Sequence, residues 1–424
     1  MTKRKMKDSG VEWLGEIPED WEVTKNKYIF EQKKQIVGSD WENYQLLSLT
    51  TGGIIEKDIN NLQGKLPESF GTYQVVEKDD LILCLFDLDM SAVFNSKSLF
   101  DGMISPAYRR YKLKVEGSIN YYNYLFDYIF VDRKYTSYST TLRFTLDNDE
   151  FGDIPTIVPS KSEQIKIAKF LDEKINIVNY NIIKITDEIL KLKEYKKSII
   201  TEAVTKGLDR DVPMKDSGIE WIGEIPDHWQ IKKLKYIADT ICKGISPSYT
   251  EEELVPVINQ ASFSQGYLNK DFQYCNDDAN SDAKLNYGDV LLATTGGGVL
   301  GKSFYFEEEG DYLASTDVAF IRTNNLNLSK FIYYIFSVNY DLFNGEFAKG
   351  STNQTHLQMN LLSNMMLPLP SNSEIIKIVE YLDRLMINIE NIINQKQVQI
   401  QSLEEYKKSI IYEYVTGKKE VGRG

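Results

Sequence analysis

Between Ala168 and Leu192 apolar side chains recur in alternating steps of three and four, at Ala168, Leu171, Ile175, Val178, Ile182, Ile185, Ile189 and Leu192. That spacing predicts a helix whose apolar seam pairs with a second helix. The pattern returns 211 residues later at Val379, Leu382, Met386, Ile389, Ile393, Ile400 and Leu403, and both runs close on EYKKSII. Helices are therefore expected over about 162–205 and 373–416, each on the order of 60 Å long. Each opens after a proline with capping-box spacing, Ser160 with Glu163 and Ser371 with Glu374. Two seams in one chain imply antiparallel packing of one helix on the other. Lys196 and Lys407 interrupt the seams at the same register and Lys396 interrupts only the second. Such lysines either fix the register or, for the first two, lie beyond the paired region and reach solvent.

Elsewhere the pattern shortens to strand length. In the first half, strands are expected near 44–49, 81–86 and 108–115, with a short helix at 121–130. In the second, they are expected near 255–259, 289–294, 302–306 and 318–322, with a helix at 330–338. Ahead of each stretch stands a turn-rich segment, KDSGVEWLGEIPEDW from Lys7 and KDSGIEWIGEIPDHW from Lys215, an offset of 208 residues. Paired Trp at fixed spacing in a turn suggests a strap that plugs onto a core. The chain thus reads as strap, divergent domain, long helix, and the same again. The expected segments are 1–158, 159–207, 208–369 and 370–424. The expected class is α+β, with two mixed α/β domains in pseudo-twofold tandem repeat joined by two long antiparallel coiled-coil helices.

Composition narrows the function. A chain of 424 residues exceeds one ordinary core. Its three cysteines, Cys84, Cys242 and Cys275, are isolated, and His228 and His356 are its only histidines. Neither a zinc site nor a disulfide framework is expected, which points to a reducing cytoplasm. No 18-residue apolar run occurs, and MTKRKMKDSG lacks the apolar core of a signal peptide, so a soluble, cytoplasmic protein without membrane contact is expected. The net charge of −13 argues against a protein that binds nucleic acid tightly by itself. The acid is concentrated in 232–369, with 10 Lys/Arg against 16 Asp/Glu, whereas 160–207 holds 10 against 7.

Motifs of catalysis are missing or out of context. GGGVLGKS at 296–303 satisfies the phosphate-loop pattern, but FYFEEEGDY follows where a helix must open. A glycine-rich turn between two strands fits better. No Asn-Pro-Pro-aromatic motif of an adenine methyltransferase, nuclease-like acidic cluster or hydrolytic triad is evident, and the chain reads as non-catalytic.

The helix openings PSKSEQIKIAKFLDEKI and PSNSEIIKIVEYLD, the closing EYKKSII, the WLGEIP and WIGEIP straps and GSTNQTHL at 350–357 together resemble the specificity subunit of type I restriction-modification systems. The resemblance spans the chain and is weakest in the two divergent domains. It implies two target recognition domains, each reading one half of a split, asymmetric site in double-stranded DNA, with the helices as the spacer. It also implies two docked methyltransferase subunits that bring S-adenosylmethionine, and nuclease-translocase subunits that bring ATP and Mg in complexes that cleave. No cofactor is expected on this chain.

Candidate DNA contacts follow from side-chain chemistry within those domains. In the second they are Lys302, Ser351, Thr352, Asn353, Gln354 and His356. In the first they are Thr140, Thr141 and Arg143, in register with that segment, and the paired arginines Arg109 and Arg110. For each, the alternative is a solvated loop or a structural turn. The rival for the whole chain is a coiled-coil scaffold whose divergent domains bind ligands other than DNA and recruit protein partners.

Overall fold

The computed structural model describes residues 4–59, 69–91, 94–252, 254–276, 282–350 and 355–422. The chain divides into two compact units, residues 1–185 with 397–424, and residues 186–396. The boundary therefore falls inside both long helices, which run unbroken over Lys161–Lys206 and Asn372–Val415. It does not follow the four segments expected from the sequence. Each unit consists of a strap, a mixed α/β domain, the first half of one helix and the second half of the other.

The first unit builds its domain from two four-stranded sheets. One is antiparallel, with Phe30–Lys33, Arg109–Leu113, Leu81–Leu83 and Asn95–Lys97 in that spatial order. The other runs Gly53–Lys57, Leu46–Thr50, Gly102–Ile104 and Gln74–Val76, with its central pair parallel. Helix Ile119–Val131, capped by Ser118, buries Tyr121, Leu125, Phe126, Ile129 and Phe130 against the first sheet and the long helices.

The second unit repeats the plan. Its antiparallel sheet orders Thr240–Lys243, Val318–Arg322, Val290–Ala293 and Ser303–Tyr305. A five-stranded sheet again contains one parallel pair, Val255–Ile258 with Tyr312–Ala314. Helix Leu326–Val338, capped by Asn325, corresponds to Ile119–Val131. The domains drifted in sequence and kept one topology.

The straps are hairpins of identical register, Met6–Asp8 on Glu16–Pro18 and Met214–Asp216 on Glu224–Pro226. Each plants a tryptophan in its unit's interior, Trp21 and Trp229. In the first unit Trp21 Nε1 donates to Glu163 at 2.8 Å, where one long helix begins. Gly417, where the other helix ends, lies against the same ring. In the second unit Trp229 donates to Glu374 at 3.0 Å and lies against Gly207. Both glycines have positive φ, and a Cβ would fall about 3.0 Å from a tryptophan carbon at Gly417 and 3.1 Å at Gly207. Glycine is therefore required there on two counts.

Glu374 also completes the capping box, accepting from the Ser371 amide at 3.1 Å. Burial pushes its carboxyl up, but hydrogen bonds from Ser371, Trp229 and His228 outweigh that and hold it near about 2. Glu163 turns instead to Arg4, at 2.7 Å, so only its Ser160 side of the box is made.

Inside each unit the long helices run antiparallel. Phe170 meets Tyr414 and Lys407 donates to Asn179 at 3.2 Å in the first; Lys396 pairs with Glu188 at 2.6 Å and Lys196 with Glu390 at 2.7 Å in the second. All three lysines thus reach across to the opposite helix, which is the register-fixing alternative. Seam residues Leu171, Ile175, Val178, Leu382, Met386 and Ile389 are buried. No helix among the described residues is long and apolar enough to cross a membrane.

Candidate nucleic-acid interface

In both units the antiparallel sheet ends in a turn that leaves the strand next to its centre. In the second unit Val290–Ala293 runs into the glycine-rich turn and returns as Ser303–Tyr305. The phosphate-loop string is thus a turn between strands, as its context implied, with no helix behind it. Lys302 does not reach outward: its Nζ donates to the Ser264 carbonyl at 2.8 Å, tying the turn to the neighbouring short helix Gln260–Phe263. Thr295 forms a β-bridge with His356, and the Leu357 amide donates to Thr294 at 2.8 Å. The sheet end therefore gathers the turn, exposed His356, and Gln260, whose amide oxygen accepts from Thr295 Oγ1 at 3.1 Å. Ser351, Thr352, Asn353 and Gln354 lie outside the described residues.

The first unit has the same frame with other side chains. Leu81–Leu83 leads into a turn over 85–91, whose Asp87 has the left-handed backbone of its counterpart Gly296. The Leu146 amide donates to Leu85 at 2.7 Å and the Asp87 amide to Thr145 Oγ1 at 3.1 Å. Segment 139–145 therefore lies beside the turn as 355–357 does in the other unit. Arg143 extends into solvent with its guanidinium 3.7 Å from Asp87, and Arg133 pairs with Asp89. Thr140 Oγ1 donates to Glu150 at 2.8 Å, and Thr141 Oγ1 accepts from the Thr145 amide at 2.8 Å, so these hydroxyls also brace their own loop. Arg109, half-exposed, opens its strand opposite Leu83, at the end from which the turn leaves.

Arg110 needs a correction. It is 2 % exposed and its guanidinium is held by Asp80, by Glu77 at 2.9 Å and by the Val75 carbonyl at 3.0 Å. It has no free edge for DNA. Neighbouring strand residues face opposite sides of a sheet, so an Arg-Arg pair cannot present both side chains to one surface. In the second unit Arg322 grips buried Asp289 with two bonds, at 2.8 and 2.7 Å. Each unit thus sets an arginine on the buried aspartate that precedes its strand, but from different positions, since Lys112 and not Arg110 stands at the register of Arg322.

The two sheet ends also carry Asp87, Asp89, Arg133, Gln260 and Thr295, which the sequence did not single out, along with two exposed apolar side chains, Met90 (87 % exposed) and Leu142 (99 %). An exposed leucine and methionine at a sheet end carrying arginines and carboxylates suit a surface that meets both base edges and methyl groups. The signal for the turn was faint, because 85–91 and 294–300 share no residue, and only the Asp80 and Asp289 that precede their strands mark the correspondence. Among the described residues no group of His, Cys, Asp and Glu could hold a metal ion.

The family model described as the type I restriction modification DNA specificity domain matches residues 226–402. Two specificity subunits of Methanocaldococcus jannaschii are similar along nearly the whole chain. That of the type I restriction enzyme MjaVIII is 26% identical, with 95% of this chain and 93% of the relative covered. That of the putative type I enzyme MjaX is 25% identical, with 96% and 95% covered. A solved structure from work on complex assembly and conformational transition of the type I R-M system shares the fold, with a TM-score of 0.70 at 14% identity, covering 95% of this chain and 99% of that one.

Proposed function

We propose that the chain is a specificity subunit of a type I restriction-modification system, as its similarity to such subunits supports, and that it reads a split, asymmetric DNA site, one recognition domain to each half. The observation that carries the reading is the duplicated sheet end. One frame is built twice, with charged and apolar side chains around 85–91 and 139–145, and with glycines, amide and imidazole around 294–301 and 355–357. Two readers of different sequence need this combination: a common frame to dock alike, and different side chains to contact different base edges.

The chain itself carries no catalytic step in this proposal. Two methyltransferase subunits dock on it and methylate an adenine in each half-site with S-adenosylmethionine, and nuclease-translocase subunits join with ATP and Mg where cleavage occurs. Exposed Ile177, Tyr180 and Ile183 on the first long helix and Ile387 on the second give such partners apolar purchase. The net charge of −13 is compatible with reading DNA if the partners neutralise most of the phosphates. The assembly works in the cytoplasm, where the chromosome is.

The test is to co-produce the chain with its methyltransferase subunits in a cell free of adenine methylation and to sequence the modified bases. A gapped motif with one modified adenine in each half is expected, and exchanging the two recognition domains should exchange the halves. A complex that assembles but modifies no gapped motif would favour the scaffold that does not bind DNA.

A further inference from the structure

The edge strand of each antiparallel sheet delivers one exposed lysine to the end from which the turn leaves. In the second unit Lys243 pairs with Ala319, and Ala319 pairs in turn with Leu292, just before that strand runs into the glycine-rich turn. In the first unit Lys33 pairs with Arg110, so the next residue, Lys34, stands beside Arg109, which pairs with Leu83. Asp80 and Asp289 precede Leu81 and Val290, which makes Leu83 and Leu292 equivalent, and with them Lys34 and Lys243. A second contact gives the same alignment. Two residues after each lysine, as the chain crosses to the other sheet, an isoleucine forms a β-bridge, Ile36 to Gln74 and Ile245 to Ser315.

Around these lysines the two sheets have drifted apart. Phe30, Glu31, Gln32 and Lys33 stand where the second unit has Asp239, Thr240, Ile241 and Cys242, and Arg109, Arg110 and Tyr111 where it has Ala319, Phe320 and Ile321. Lys33 is half-buried and pairs with Glu31 at 2.7 Å. Lys34 and Lys243 are exposed, and among the described residues neither enters an ion pair or a hydrogen bond. A charge kept at an exposed position, while its neighbours change and no partner within the described chain holds it, answers to something outside that is alike at both places.

Position and chemistry say what that is. Readers of different half-sites must differ wherever they touch base edges, whereas the phosphate backbone is common to both halves. An ammonium is a point charge on a flexible stem, suited to a phosphate oxygen and needing no fixed two-point geometry. Each lysine lies two strands away from the one that carries the turn, on the order of 10 Å to its side. The major groove is about 12 Å wide, so a turn seated in it places that flank over a wall of the groove, where the phosphates are.

We propose that Lys34 and Lys243 are equivalent phosphate contacts, one in each recognition domain, which seat the two readers alike on the duplex and carry no base preference. This rests on the proposed function, in which the sheet ends meet DNA. The full chain in complex with its methyltransferase subunits is titrated by fluorescence anisotropy, over a series of salt concentrations, against a duplex carrying the gapped motif that modified-base sequencing identifies. Lys34→Gln and Lys243→Gln should each weaken binding several-fold and lower the slope of log affinity against log salt by about 0.9, and the double variant should lower it by about 1.8. The motif modified in cells should be the same for all three variants, and arginine at both positions should restore the wild-type slope. An unchanged slope in the double variant overturns the proposal, whether or not affinity falls. A changed base in either half of the modified motif overturns it by making the lysine a base reader, and loss of methyltransferase subunits from the complex does so by placing the lysines in assembly. A wild-type complex that modifies no gapped motif overturns the functional reading itself, and the proposal with it.

Discussion

Asp127 sits in the wall of the cleft where helix Ile119–Val131 meets the long helices, with Asn95 Nδ2 2.8 Å from one carboxylate oxygen, and burial pushes its pKa from 3.8 up to about 6. The folded chain therefore holds that proton more tightly than the unfolded chain does. The stability linked to it is complete below about pH 4 and is lost as pH rises through about 6. Asp127→Asn keeps the acceptor for Asn95 and removes the charge. Urea unfolding across pH 4 to 8 should show the variant more stable than wild type at pH 7.5, by on the order of 1 kcal/mol, with no gain near pH 4. An unchanged slope with pH would mean that the carboxylate is solvated in the cleft. Residues of this kind are hard to see from sequence. Asp127 lies in a helix whose other residues spell out an apolar face, and Arg110 lies in a strand where the alternation that buries it also displays its neighbour.

The long helices are held by an apolar seam with a few polar bridges, which makes pairing and length separable. One heptad added to both helices, at the 185/186 and 396/397 junctions, preserves the seam and lengthens each helix by about 10 Å. If the helices space the readers, the methylated motif should gain roughly three bases in its gap, at about 3.4 Å per base pair. The same heptad in one helix alone should lower the thermal midpoint by several degrees, because buried seam residues lose their partners. The helices were legible to within two residues at either end, since forty residues of period 3.5 leave little competition. Strand positions within the domains were legible too: 318–322 was met in full, 108–115 in its central residues and 81–86 in its first three. The proposed reading surface was not, because its residues come from turns and loops whose backbone paths are set by partners far away in sequence. Leu85 with Leu146 and Thr294 with Leu357 are such pairs, and neither leaves a periodic trace.

At the scale of the whole chain, a duplicated plan has produced two units of unequal continuity. The second is one stretch of chain, 186–396, while the first needs both 1–185 and 397–424. Trp21 is clasped by Glu163 on one side and Gly417 on the other, and Tyr121 hydroxyl donates to the Val415 carbonyl at 2.9 Å. A chain cut after Lys396 should therefore keep a protease-resistant second unit and lose the first, although every deleted residue lies at the opposite terminus; limited proteolysis with mass mapping would read this directly. Loss of the second unit instead would mean that its half-helices cannot stand without their continuations. The same clasp bears on synthesis. On the ribosome, the domain that emerges first must wait for residues 397–424 before its tryptophan is covered, while the domain translated after it draws on none of them. The two readers are thus completed in the reverse of the order in which they are encoded, and a polysome carrying this message holds unfinished first domains along most of its length.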